Sequence, residues 1–233
     1  GPYPPYTGRD LPEQGMLTEV VNRALDHAAP ERERRIAFVG DWSAHLDVLL
    51  PDGAFDIGFP WFKPDCSRME LLGEEMRRRC TDYNWSQPLH ELVVGYFVRA
   101  GSGIEGATDY DDLLGLTFCR PEGYYGFDLE QKGLSVPRIA LLTPATPADC
   151  LRGLAGGEAD VVSLSVTLVE AEIAELGLAG RIAELPELAD ILTLHALAPK
   201  SNPSGRAYLT LVNRGLREMR ESGEWFRVVA RDR

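Results

Sequence analysis

Residues 36–61, IAFVGDWSAHLDVLLPDGAFDIGFPW, constrain the fold more than any other stretch of the chain. Residues 36–39 form a short apolar run. Asp41 then offers a helix N-cap, and Trp42, His45, Leu46, Leu49 and Leu50 recur at helical spacing until Pro51-Asp52-Gly53 stops the helix. A second apolar run covers residues 55–59. Strand, helix and strand in so short a segment predict two parallel strands joined by a right-handed crossover. Ligands of such sheets bind at the carboxyl ends of the strands, which here carry Asp41-Trp42 and Pro60-Trp61. The two tryptophans are either an aromatic ligand shelf or two core side chains.

The rest of the chain repeats this alternation. Leu17, Val20, Val21, Ala24, Leu25 and Ala28 mark an amphipathic helix ended by Pro30. Residues 62–76 read as irregular, then mostly helical. Residues 91–99 read as a long strand, and glycines at 101, 103 and 106 follow it. A second series is expected: a short helix at 109–114, then strands at 116–119, 138–142, 159–164, 182–185 and 191–198. Helices are expected at 146–154, capped by Thr146, and at 167–176. The C-terminus is helical over 207–220, with a short turn at 224–229. Alternating strands and helices predict an α/β protein. If the two long strands, 91–99 and 191–198, both cross between lobes, residues 1–98 and 194–233 form lobe 1 and residues 99–193 an inserted lobe 2. Such a protein hinges, with its binding cleft where the lobes' strand ends meet.

With 233 residues, 44 % of them hydrophobic and 26 % charged, the composition is that of a globular protein. A net charge of −12 argues against nucleic acid and against a basic membrane-surface role. No apolar run approaches the roughly 20 residues of a membrane span, and no signal peptide is visible. A mature secreted chain has already lost its signal. The four cysteines, Cys66, Cys80, Cys119 and Cys150, lack metal spacing and allow three pairings. The sequence-local pairings 66–80 and 119–150 keep each bridge within one predicted structural unit. An even count without metal spacing favours an oxidising compartment; four buried free thiols are the alternative. His27, His45, His90 and His195 are too scattered to propose a metal, and no cofactor is expected.

Order and spacing over essentially the whole chain resemble the type II extracellular solute-binding proteins of family 3, the periplasmic receptors of polar amino-acid transporters. Tyr3-Pro4-Pro5-Tyr6 is similar to the family's aromatic-x-Pro-aromatic opening, and Asp41-Trp42 to its Asp-aromatic pair. Arg79, seven residues before Ser86 of Trp85-Ser86-Gln87-Pro88, matches the arginine ahead of its Phe-Ser-x-Pro element. Gly157-Glu158-Ala159-Asp160 matches its G-x-x-D, Pro199-Lys200-Ser201-Asn202-Pro203 its returning R-K-x-N-P, and Glu224-Trp225-Phe226 its last helix. The resemblance implies a two-lobe type II periplasmic-binding-protein fold with two hinge crossings. It also implies a small-molecule ligand, an ABC-transporter permease as membrane partner, a monomer and a periplasmic location.

Three departures bear on the ligand. The family's first strand, upstream of its Tyr-Pro-Pro-Tyr-like opening, has no counterpart, and a fold lacking it exposes a strand edge and apolar surface. Pro60-Trp61 stands where the family has small hydroxyl residues, and an insertion bounded by Cys66 and Cys80 precedes Arg79. The family's amine-binding acid falls five residues after the Asp of G-x-x-D, which places Ser165 there.

Amino-acid receptors of this kind need an aromatic clamp, an arginine with backbone amides for carboxylate, and an acid for ammonium. The clamp candidates are Tyr3, Trp42 and Trp61, with Asp41 and Pro60 beside them. Arg79 and Arg120 are the candidate cations, and Gly123 and Tyr124 the candidate amides. No acid stands at Ser165, Glu122, Asp41 and Glu170 being the acids that could serve from elsewhere, and a buried ammonium without an anion costs several kcal/mol. The expected solute is therefore an organic molecule with an aromatic or apolar body, carrying a carboxylate. Arg79 is alternatively a brace for the cysteine-bounded loop, and Arg120 a surface residue. Two further readings stand beside transport. One is a cyclohexadienyl dehydratase-like enzyme with Glu122, Glu170 or His195 as general acid. The other is a periplasmic accessory protein of a quinoprotein dehydrogenase.

Overall fold

A computed structural model describes residues 1–122, 124 and 127–231. In chain order its main elements are α1 (Met16–Ala28), α2 (Trp42–Ala44), β1 (Gly58–Phe62), α3 (Glu74–Asp82), β2 (Tyr83–Trp85), β3 (His90–Arg99) and β4 (Thr117–Cys119). They continue with α4 (Phe127–Gln131), β5 (Ala140–Leu142), α5 (Pro147–Gly156), β6 (Val161–Ser165), α6 (Val166–Leu176), β7 (Ile182–Glu184), β8 (Asp190–Pro199), α7 (Pro203–Glu221) and α8 (Glu224–Val229). The fold is mixed α/β, as the alternation of apolar periods requires. No described helix is long and apolar enough to cross a membrane. The chain divides into two compact units, the first comprising Gly1–Lys63, Arg78–Glu91 and Thr193–Arg233, the second Pro64–Arg77 and Leu92–Leu192.

In unit 1, β8 pairs antiparallel with β1, setting Trp61 opposite His195, and with β2, setting Trp85 opposite Leu197. The helical layer is α1 against α7. Leu17, Val20, Val21 and Ala24 of α1 and Val212, Leu216 and Met219 of α7 are all buried to 1 % or less. The helices close at Gly215, where an added Cβ would lie 1.8 Å from the Ala24 carbonyl oxygen. α7 starts where Asn202 caps it, accepting from the Gly205 amide at 3.0 Å, with Pro203 at its first position.

The expected parallel pair of residues 36–39 and 55–59 is not formed. The second strand is shifted to β1, and its partner β8 is antiparallel. Residues 36–39 are extended but outside any strand. They face the 54–59 stretch across a cavity of about 730 Å³ in unit 1, lined by Ile36, Phe38, Val21, Leu25, Ile57 and Phe59 among others. Both extended stretches line this cavity and no ladder joins them.

In unit 2, β3 pairs antiparallel with β6 (Val94 opposite Ser165, Val98 opposite Val161) and with β7 (Phe97 opposite Glu184). β4 lies parallel to both β5 and β6. Side chains alternate across this sheet. Phe97 and Cys119 enter one core with Leu151, Leu154 and Val169. Tyr96, Val98 and Phe118 enter the other with Leu113, Leu129 and Leu134. Both faces are covered, which is why β3 reads as a continuous apolar run. Cys119 of β4 and Cys150 of α5 form a disulfide, with Cα atoms 5.5 Å apart, inside the first of these cores. Cys66 and Cys80 are disulfide-bonded as well, and none of the four is free.

Candidate functional site

Unit 1 gathers most of the aromatic residues singled out above. Asp41 caps the short α2, accepting from the Ala44 amide at 3.1 Å and from the Ser43 hydroxyl at 2.7 Å. The Ser43 hydrogen bond, followed by that from Ala44, holds the Asp41 carboxyl below its ordinary value. The cap orients Trp42, half-buried, whose ring meets that of Trp61 edge-on with centroids 5.1 Å apart. Trp61 itself is only 1 % exposed, so the two tryptophans are an edge-to-face pair with one ring inside the unit. His45 packs against both rings, at 5.2 and 5.9 Å, and its Nε2 lies 2.9 Å from the Val39 carbonyl. Burial pushes the His45 pKa down.

Arg79 lies with its guanidinium 4.8 Å from the Trp61 ring, a cation–π contact, and is 1 % exposed. Its carbonyl accepts from the Trp85 indole at 3.3 Å. Tyr3 stacks on Tyr6 at 5.3 Å and meets Phe62 edge-on at 6.2 Å, while its backbone forms a bridge with Thr7. Pro60 follows a cis peptide bond within β1 and is buried. Unit 1 therefore brings Trp42, Trp61, His45 and Arg79 together, with Asp41 orienting the cluster from the helix cap.

Ser165, Arg120 and Tyr124 belong to unit 2. Ser165 ends β6, opposite Val94, and starts α6 without a side-chain cap. Tyr124 is half-buried against the Cys119–Cys150 core, with its amide donating to the Pro121 carbonyl at 3.1 Å. Gly123 lies outside the described residues. Arg120 is not a surface residue: it is 6 % exposed. The parallel register Cys119–Val162 sets it beside Ser163. Its Nε donates to the Ser163 carbonyl at 3.1 Å and its Nη2 to the Ser163 hydroxyl at 2.7 Å. The remaining feature is Asp128, unremarked in the sequence. It accepts from Nη1 at 2.5 Å and from Nη2 at 2.8 Å. Asp128 stands eight positions after Arg120, in the short α4, a separation that no helical or strand period selects, so the sequence carries no signal for the pair.

His195, one of the candidate acids, is 4 % exposed and engaged at both ring nitrogens. Nδ1 lies 2.8 Å from the Ser86 carbonyl and Nε2 2.8 Å from the Thr193 hydroxyl. The carbonyl fixes Nδ1 as the donor, leaving Nε2 to accept. Desolvation lowers its pKa from 6.5 to about 4, so the imidazole stays neutral in the fold. Between these two values the unfolded chain binds the proton and the folded one does not. His195 thus contributes stability that is complete above pH 6.5 and is lost as pH falls toward 4. Urea unfolding from pH 7 to 4 is expected to show a loss of about 3 kcal/mol from this residue. A His195→Asn variant that retains the full slope would contradict the assignment.

No family model and no curated protein matches the chain. Solved structures do. The GluR0 ligand-binding core from Nostoc punctiforme, in complex with L-glutamate, superposes at a TM-score of 0.64. It shares 16 % identity and covers 97 % of this chain and 93 % of its own. The substrate-binding protein of an amino acid ABC transporter gives 0.64 at 16 % identity, with 98 % and 94 % covered. A histidine kinase sensor domain with similarity to periplasmic binding proteins gives 0.66 at 22 % identity, with 98 % and 91 % covered.

Proposed function

From a fold that is the type II periplasmic-binding-protein fold of those structures, we propose that the chain is an extracytoplasmic solute-binding protein. It captures a small organic solute, an amino acid or a carboxylate-bearing aromatic compound, for the permease of an ABC-type transporter. It acts as a monomer, outside the membrane, without nucleic acid, and catalyses no reaction. The observation that carries this reading is the coverage: solute-binding structures account for 97–98 % of the chain, so the whole of it is used by a binding fold. Four disulfide-bonded cysteines support an oxidising compartment. The Trp42–Trp61–Arg79 cluster of unit 1 supports an aromatic or anionic ligand. The general-acid role considered for His195 draws no support from a buried, neutral imidazole with both nitrogens engaged.

A second reading, the sensory input domain of a signalling receptor, is favoured by one observation, the histidine kinase sensor domain at 22 % identity. Both readings require solute binding. The test is thermal unfolding against L-amino acids and aromatic carboxylates. A cognate solute at about 100 times its Kd adds about 2.7 kcal/mol, which raises Tm by roughly 5–10 °C in a chain of this size. Loss of that shift in Arg79→Met, without loss of fold, would place Arg79 on the solute. An undiminished shift would assign Arg79 to bracing alone.

A further inference from the structure

We propose that Asp128 is a built-in carboxylate that occupies Arg120, so that this arginine is withheld from a solute carboxylate. This rests on the solute-binding reading and narrows it: of the two candidate cations, Arg120 is taken by an internal carboxylate, which leaves Arg79 of unit 1 as the candidate partner of a solute carboxylate.

The argument begins from position. β4 and β6 are parallel neighbours; Arg120 directly follows β4, at the carboxyl end where parallel sheets present ligand-binding groups, and the register sets it beside Ser163 in the middle of β6. An arginine there is well placed to take a carboxylate through two parallel N–H···O bonds. That fork is already filled: Asp128 offers one oxygen to Nη1 at 2.5 Å and the other to Nη2 at 2.8 Å. Ser163 fixes the other edge of the guanidinium, at Nε and Nη2. All three residues are buried, Arg120 to 6 %, Asp128 to 2 % and Ser163 to 1 %. A second carboxylate in the same fork would have to displace Asp128 and leave it as an uncompensated buried anion. The charge of Asp128 is felt nearby, where it adds to burial in raising the Tyr96 hydroxyl well above its ordinary pKa.

The pair can be opened experimentally. Asp128→Ala removes the internal carboxylate and leaves the arginine fork with a hole of carboxylate size. Thermal unfolding of the full chain is measured in sodium acetate and in sodium chloride at matched ionic strength. The native protein is expected to melt within about 1 °C in the two salts. Asp128→Ala should melt lower in chloride and recover by about 5 °C or more, saturably, in acetate. The double variant Arg120→Met/Asp128→Leu, with no fork, should show no preference for acetate. If Asp128→Ala does not fold in chloride, its refolding yield in acetate against chloride is the readout. Acetate-blind behaviour of Asp128→Ala would overturn the proposal, as would an acetate-induced rise in the native protein that Arg120→Met abolishes. None of these readings depends on a transported solute, so failure of the transport reading and failure of the Asp128 assignment are separable.

Discussion

Replacing Gly215 with alanine is expected to destabilise unit 1 severely. The added Cβ would stand 1.8 Å from the Ala24 carbonyl oxygen, 2.4 Å from its carbonyl carbon and 2.6 Å from its Cα. All three are backbone atoms inside α1, a 13-residue helix whose own hydrogen bonds hold them in place. No rotamer change relieves the overlap, so α1 and α7 must move apart along their shared face. That face carries Val20, Val21, Ala24, Val212 and Leu216, each buried to 1 % or less, and separation undoes their packing together. Ordinary overpacking costs 1–3 kcal/mol; a clash with fixed backbone is expected to reach about 3 kcal/mol or more. Against a typical total of about 5–15 kcal/mol, urea unfolding followed by far-UV circular dichroism should show a large drop in midpoint. Gly156→Ala is the matched control, since nothing lies within 4 Å of its Cβ and its φ is not in the left-handed region. It should be neutral or stabilising by up to about 1 kcal/mol. Equal midpoints for the two variants would show that α1 and α7 do not approach as described.

The second large effect is removal of the Cys119–Cys150 bridge. The bond links residues 31 apart in sequence, joining β4 to α5 across β5. In the chain-entropy model a loop of that length contributes about 4 kcal/mol by restricting the unfolded chain. Both cysteines are buried, to 3 % and 0 %, in the core formed with Leu151, Leu154 and Val162. A Cys119→Ala/Cys150→Ala variant is therefore expected to melt roughly 8–15 °C below the native protein by calorimetry. Burial also implies that mild reductant at low temperature leaves the bond intact, because reduction must await opening of unit 2. A drop of less than 2 °C in the alanine pair would remove the bridge from the account of stability.

The strongly periodic elements were legible from sequence because a single pattern decides them. The α1 stripe Leu17–Val20–Val21–Ala24–Leu25, the Thr146 cap of α5 and the long β3 all appear within a residue or two of where periodicity and capping put them. The 36–39 run shows where that reasoning stops. Its apolar residues specify extended backbone, and it is extended, but pairing depends on what lies alongside, and a cavity lies there. The strand expected at 55–59 moved to β1 for a related reason, since its register is set by the antiparallel β8. In the site, residue type pointed to Tyr3, Trp42 and Trp61 as a clamp and to Arg79 and Arg120 as cations; Trp61 touches Trp42 and Arg79, whereas Tyr3 packs on Tyr6 and Phe62 and Arg120 belongs to unit 2. Sequence could not tell which ring would be buried. Arg120 drew attention as a cation, yet its behaviour is decided by Ser163, which strand register places beside it, and by Asp128 of α4, at a spacing that no period predicts.

The claim that this chain binds a small solute is tested most directly by native mass spectrometry of the freshly purified protein. It is run before and after incubation with a mixture of amino acids and aromatic carboxylates. The account predicts one bound molecule per chain, of small-metabolite mass, lost on denaturation and absent from an Arg79→Met/Trp42→Ala variant that remains folded. A spectrum that stays at the bare chain mass throughout, from protein that melts cooperatively, would contradict it.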